Sequence, residues 1–197
     1  MAIVLASASQ ARRALLTAAG LDLVVDPAAV DEASVKASLA AEGAGPGDIA
    51  EALAELKAAR ISPRHHGRLV IGADQILECE GRSFDKPVDR AAARLQLTAL
   101  RGRRHSLVSA AVAMRDGQRL WHHVGRADLT MRAFSDSFLE SYLDRIGPAA
   151  TASVGAYQLE GLGAQLFAAI EGDYFTILGL PLLPLLAFLR GVGEIAP

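Results

Sequence analysis

Apolar residues in this chain come in short runs closed by glycine, proline or charged residues, alternating with longer stretches where they recur every three or four positions. That alternation of strand-like and helix-like patterning is the mark of an α/β fold. Ile3-Val4-Leu5 reads as a strand, Ser7-Ala8-Ser9 as a loop, and residues 10–16 as a helix closed by Gly20. A second strand is expected over 21–25. Helices follow around 34–41 and over 48–60, separated by the glycine- and proline-containing break at 43–47. Leu69-Val70-Ile71-Gly72-Ala73-Asp74-Gln75 is a buried central strand with Asp74 where it leaves the core. Asp89 caps a helix to Leu100 that stops at Arg101-Gly102. Asp116-Gly117 joins two strands, one over 106–114 and one running toward Met131, as a hairpin. Ser135 opens a helix through Arg145, stopped by Gly147-Pro148. The remainder predicts a strand over 164–170, a turn at Glu171-Gly172-Asp173, a strand over 174–178 and a closing helix from Leu180.

The totals narrow the class. The 197 residues, 51% hydrophobic and 21% charged, suit one globular domain over 1–197 with a sizeable core. The longest apolar run, 177–189, is interrupted by Gly179, Pro181 and Pro184, short of the ~18 uninterrupted residues a membrane span requires. The first residues lack the basic opening of a secretory signal, so a cytoplasmic location is expected, with no membrane partner. A net charge of −2 and the lack of any long basic run argue against a nucleic-acid partner, although a local cluster of cations could still hold a phosphate. The single cysteine, Cys79, excludes an internal disulfide, and the adjacent pairs His65-His66 and His122-His123 point to opposite strand faces, which disfavours a histidine-based zinc site.

Several polar residues stand where chemistry could occur. Asp74, delivered on a rigid strand, and Lys86, twelve residues on, could face one cleft as proton acceptor and anion neutraliser, or form an ion pair at a strand end. Ser9 can cap the first helix, and its free amides with Arg12 and Arg13 make an anion-binding environment. Cations are unfavourable at a helix start unless an anion compensates them, and the alternative is a solvated face. Ile49, Leu53 and Leu56 form an apolar stripe that Lys57 flanks, either snorkelling to solvent or reaching into a cleft. Glu32 beside Asp31 also fits ordinary capping of the helix that follows.

Taken in order, these segments resemble a known family. Leu5-Ala6-Ser7-Ala8-Ser9-Gln10-Ala11-Arg12-Arg13, Val30-Asp31-Glu32, Leu56-Lys57-Ala58, Gly72-Ala73-Asp74-Gln75, Asp85-Lys86-Pro87-Val88-Asp89, Leu100-Arg101-Gly102 with His105, Gly155-Ala156-Tyr157 to Gly161, and Gly179-Leu180-Pro181-Leu182 are similar to segments of the Maf nucleoside triphosphate pyrophosphatases over essentially the whole chain. The resemblance implies an elongated mixed β-sheet with flanking helices, in two lobes around a central cleft, often as a homodimer. It implies hydrolysis of nucleoside triphosphates to monophosphate and pyrophosphate with a divalent cation, magnesium foremost and manganese or cobalt as substitutes. It also implies a link to arrest of septum formation. By this resemblance Asp74 is the general base, Glu32 and Asp74 are metal ligands, and Lys57 and Lys86 neutralise developing phosphoryl charge. Ser7, Ser9, Arg12 and Arg13 would hold the triphosphate.

Four positions bear on the base. Gln10 replaces the family's proline, and Ala11 stands where subfamilies carry arginine or tryptophan. Gln75 and Glu160 resemble the subfamily acting on 7-methyl-GTP, and a carboxylate suits the N–H edge of guanine. The main expectation is a pyrophosphatase of ordinary or modified nucleotides, the narrower one a 7-methyl-GTP pyrophosphatase. The contrasting class is a non-catalytic nucleotide-binding regulator of septum formation. A Walker-type NTPase is disfavoured because no Gly-x-x-x-x-Gly-Lys-Ser/Thr occurs.

Overall fold

The computed structural model describes residues 2–196. The chain runs β1 (Ile3–Leu5), α1 (Gln10–Ala18), β2 (Leu23–Val25), α2 (Glu32–Ala41), α3 (Pro46–Ile61), β3 (Val70–Cys79), β4 (Arg82–Phe84), α4 (Arg90–Leu100), β5 (Arg104–Arg115), β6 (Gln118–Met131), α5 (Asp136–Ile146), β7 (Phe167–Gly172), α6 (Tyr174–Ile177) and α7 (Leu182–Gly191), with short 3-10 turns between some of them. Its strands make a seven-stranded mixed sheet in the order β2-β1-β3-β5-β6-β7, with β4 paired to β3 off that path. Two compact units are present. The first comprises Met1–Gln75, Val108–Gly125 and Asp173–Pro197, the second Ile76–Leu107 and Arg126–Gly172.

In the first unit β1 pairs in parallel with both β2 and β3, Val4 standing opposite Val24 and Val70. Parallel neighbours require a crossover, and α1 supplies it between β1 and β2. Ser9 caps α1 by accepting from the Arg12 N–H at 3.4 Å, and Gly20, at φ 81°, lets the chain turn back toward β2. Residues of alternate register, Ile3, Leu5, Ile71 and Ala73, pack with Leu16 of α1 and Leu185 of α7. The opposite register of β3 presents Gly72 and Asp74, and α3 lies against it. A Cβ on Gly72 would stand 2.0 Å from the Ala54 carbonyl oxygen, so this approach is open only to glycine.

Four expectations need correction. Strand β3 continues through Ile76 and Leu77 to Cys79, so Asp74 lies in mid-strand and is buried, not at a strand end. Residues 174–177 form the short helix α6 instead of a strand, because Asp173 Oδ2 accepts from the Thr176 N–H at 2.7 Å and its hydroxyl at 2.9 Å, a cap that outweighs the β-favouring composition. Residues 162–166 are a 3-10 turn, and β7 begins only at Phe167. Leu56 is 43% exposed while Lys57 is buried. The buried face of α3 runs through Ile49, Ala50, Leu53, Ala54, Ala58 and Ile61, which puts Lys57 at its middle.

In the second unit Glu80 and Gly81, at φ 53° and 78°, close the β3–β4 hairpin with the positive-φ pair that a two-residue turn favours. Asp89 caps α4 by accepting from the Ala92 N–H at 2.7 Å, and Glu140 of α5 receives both Arg90 and Arg94. His105 is buried, with Nε2 2.8 Å from the Tyr157 hydroxyl and Nδ1 without a hydrogen-bond partner among the described residues. Burial pushes its pKa down to about 4, with Asp128 pulling weakly the other way. The neutral ring is therefore the folded form, while the unfolded chain takes up a proton near pH 6.5. Stability is fully present above that pH and is lost as pH falls from 6.5 toward 4, by about 3 kcal/mol at most. We expect His105→Gln, which keeps a hydrogen-bonding amide toward Tyr157 but cannot protonate, to flatten this dependence. Urea unfolding of both proteins across pH 4–7.5 reads it, and equal slopes would remove His105 as the cause.

Candidate active site

Lys57 reaches the centre of the first unit because its neighbours on α3 are small. Ala50, Ala54 and Ala58 leave room for the β3 backbone at Gly72, and two residues along the same register Asp74 meets the lysine. Lys57 Nζ lies 2.6 Å from Asp74 Oδ1 and 2.6 Å from Glu32 Oε1. A buried ammonium is tolerated only when paired, and here two carboxylates pair it. Glu32, at the first position of α2, is half-exposed. Burial works against its ionisation, yet the hydrogen bond and charge of Lys57, helped by Lys36 and Arg12, hold its carboxyl below the ordinary glutamate value. Asp74 Oδ2 is buried and has no hydrogen-bond partner among the described residues.

Arg12 supports the same centre. It is buried, its Nε donates to the Gly179 carbonyl at 2.7 Å, and its Nη1 donates to the Ala73 carbonyl at 2.9 Å and to Ser7 Oγ at 3.0 Å. Burial lowers its pKa, against the pull of Asp74 and Glu32. Ser7 also accepts from the Ser9 N–H at 3.3 Å, so the loop ahead of α1 is braced by the guanidinium. Gln75, next to the aspartate, has its amide nitrogen 3.0 Å from Ser109 Oγ, 3.1 Å from the Thr176 carbonyl and 3.0 Å from the Ile177 carbonyl. These acceptors fix which way the amide faces, and its oxygen points toward Gly179.

Of the residues singled out in the sequence, Glu32, Lys57 and Asp74 form one hydrogen-bonded cluster, and Ser7, Ser9 and Arg12 form a second. Ala11 is half-buried and Arg13 is exposed, so the two adjacent arginines have different surroundings. Lys86 and Glu160 are exposed residues of the second unit. The partners of Gln75 escaped the sequence reading. Ser109 lies 34 residues away and Thr176 101, and the usable signal was a serine inside the apolar run of β5, which needs a partner when buried.

The residues fit a divalent cation of the hard, oxygen-seeking kind. Glu32 and Asp74 offer two carboxylates, and the buried, unpartnered Oδ2 of Asp74 is an acceptor in want of a donor or a cation. No third His, Cys, Asp or Glu joins them in a metal-holding group among the described residues. Magnesium is ordinarily bound by one or two carboxylates with water and phosphate completing the shell.

Residues 2–192 match the family model described as Maf-like protein. A protein of Paramagnetospirillum magneticum named nucleoside triphosphate pyrophosphatase is 61% identical over 193 residues, 98% of this chain and 100% of its own. One of Granulibacter bethesdensis with the same name is 56% identical, covering 96% of each chain. A 7-methyl-GTP pyrophosphatase of Mesorhizobium japonicum is 54% identical, covering 98% of this chain and 97% of its own.

Proposed function

The chain belongs to the Maf family, and on that footing we propose that it hydrolyses nucleoside triphosphates between the α and β phosphates, releasing a nucleoside monophosphate and pyrophosphate. The observation that carries this reading is Asp74 Oδ2, a buried carboxylate oxygen with no hydrogen-bond partner among the described residues. Its sister oxygen is held by Lys57, which fixes the carboxylate and leaves Oδ2 to take a proton.

The steps follow from these positions. A water oxygen attacks the α-phosphorus and gives its proton to Asp74. The bond to the α–β bridging oxygen breaks, and pyrophosphate leaves with that oxygen. Lys57, between the two carboxylates, offsets charge that grows on the phosphoryl oxygens. Arg12 braces the loop of Ser7 and Ser9, whose hydroxyls and helix-start amides suit phosphate oxygens. Glu32 and Asp74 are the residues that would hold a divalent cation, which when bound screens the triphosphate charge.

The narrower reading, a preference for 7-methyl-GTP, is supported by a 54% identical relative of that name and by the fixed Gln75 amide beside the aspartate. One experiment tests both. Purified protein with magnesium is given ATP, GTP, UTP, dTTP and 7-methyl-GTP, and pyrophosphate, orthophosphate and monophosphate are measured. We expect pyrophosphate and monophosphate in equal amounts. Orthophosphate as the first product overturns the bond assignment, and equal turnover of pyrimidine nucleotides overturns the narrower reading. No product from any nucleotide moves the chain to the class of non-catalytic regulators.

A further inference from the structure

The charges around Asp74 cancel before any metal arrives. Glu32 and Asp74 contribute two carboxylates, and Lys57 bridges them at 2.6 Å from each. The buried Arg12 guanidinium acts electrostatically on both, and Lys36 adds to the positive side of Glu32. Two carboxylates are thus bridged by the Lys57 ammonium and feel the charge of the buried Arg12 guanidinium. A free carboxylate pair attracts a divalent ion strongly. A pair already bridged by an ammonium does not, because the ion would bring two further positive charges against Lys57 and Arg12.

We propose that Lys57 serves as the resident cation of the Glu32–Asp74 pair in the free chain, so that a divalent ion enters only with the negative charge of a polyphosphate. The bound species is then the metal–nucleotide complex, and the chain without nucleotide is not a metalloprotein. The polyphosphate in this inference rests on the pyrophosphatase reading, while the charge cancellation rests on the Lys57 bridge to both carboxylates. Affinity for hard cations rises by decades with the number of uncompensated carboxylates, so removing Lys57 is expected to create a metal site where none of useful strength exists.

The test is calorimetric titration of Mn²⁺ into the metal-stripped chain without nucleotide, for the wild type and for Lys57→Met, Lys57→Gln and Lys57→Arg. Circular dichroism establishes which variants fold, and the two neutral substitutions back each other up. We expect weak or undetectable binding to the wild type and Lys57→Arg, and binding tighter by about tenfold or more in the neutral variants. A preformed Mn²⁺ complex of a non-hydrolysable α,β-methylene nucleotide should bind the wild type at concentrations where Mn²⁺ alone does not. Micromolar Mn²⁺ binding to the wild type, or neutral variants no tighter than Lys57→Arg, overturns the proposal. Failure to release pyrophosphate from any nucleotide would strike the pyrophosphatase reading instead and leave the titration of metal alone as it stands.

Discussion

Replacing Asp74 with asparagine is expected to lower pyrophosphate release about 10²–10⁴-fold, the range a positioned general base contributes. Asparagine preserves the volume and an oxygen for Lys57, which donates to Asp74 at 2.6 Å, so the fold should survive. What it removes is the basicity of the buried, unpartnered Oδ2. Loss of rate should therefore appear in kcat, with the midpoint of urea unfolding close to wild type. Single-turnover assays with saturating nucleotide read the chemical step directly. Turnover within tenfold of wild type would show that another group takes the proton, and the observation on which the functional reading rests would lose its meaning.

The patterns most legible in the sequence were local. Ser9, Asp89 and Ser135 announce the helices that follow them, and each accepts a backbone N–H in the first turn. Asp116-Gly117 announces the β5–β6 hairpin, with both residues at positive φ. Asp74, Lys57, Glu32 and Arg12 were picked out by residue type and by family resemblance, and three of them meet within hydrogen-bonding distance. Local patterning failed where the deciding partner is remote or the pattern is ambiguous. The run Ile49, Leu53, Leu56 is a plausible stripe, but the buried face of α3 is turned toward Lys57, which only the two carboxylates from elsewhere in the chain make tolerable. The orientation of Gln75 depends on the carbonyls of Thr176 and Ile177, about a hundred residues away. Tyr174-Phe175-Thr176-Ile177 has strand composition and is helical because one aspartate caps it.

Gly72→Ala should disable the site without touching a charged group. The glycine has no positive φ that would make alanine strained there, and the objection is one of space alone. A Cβ would lie 2.0 Å from the Ala54 carbonyl oxygen, 2.9 Å from the Ala58 nitrogen and 3.0 Å from the Ala54 carbonyl carbon. All three are backbone atoms of α3, so no rotamer change relieves the clash, and the helix must move off β3. Lys57 lies between Ala54 and Ala58 and travels with it. A shift of about 1 Å at a catalytic contact costs about 10²-fold in rate, and overpacking of this kind costs about 1–3 kcal/mol of stability or more. We expect both losses, measured as kcat and as the midpoint of urea unfolding. Ala54→Gly in the same chain should not restore either, because the obstructing oxygen belongs to the backbone. A Gly72→Ala protein that unfolds and turns over like wild type would mean that α3 does not set the Lys57–Asp74 distance. The close helix–strand approach would then be packing unrelated to the chemistry.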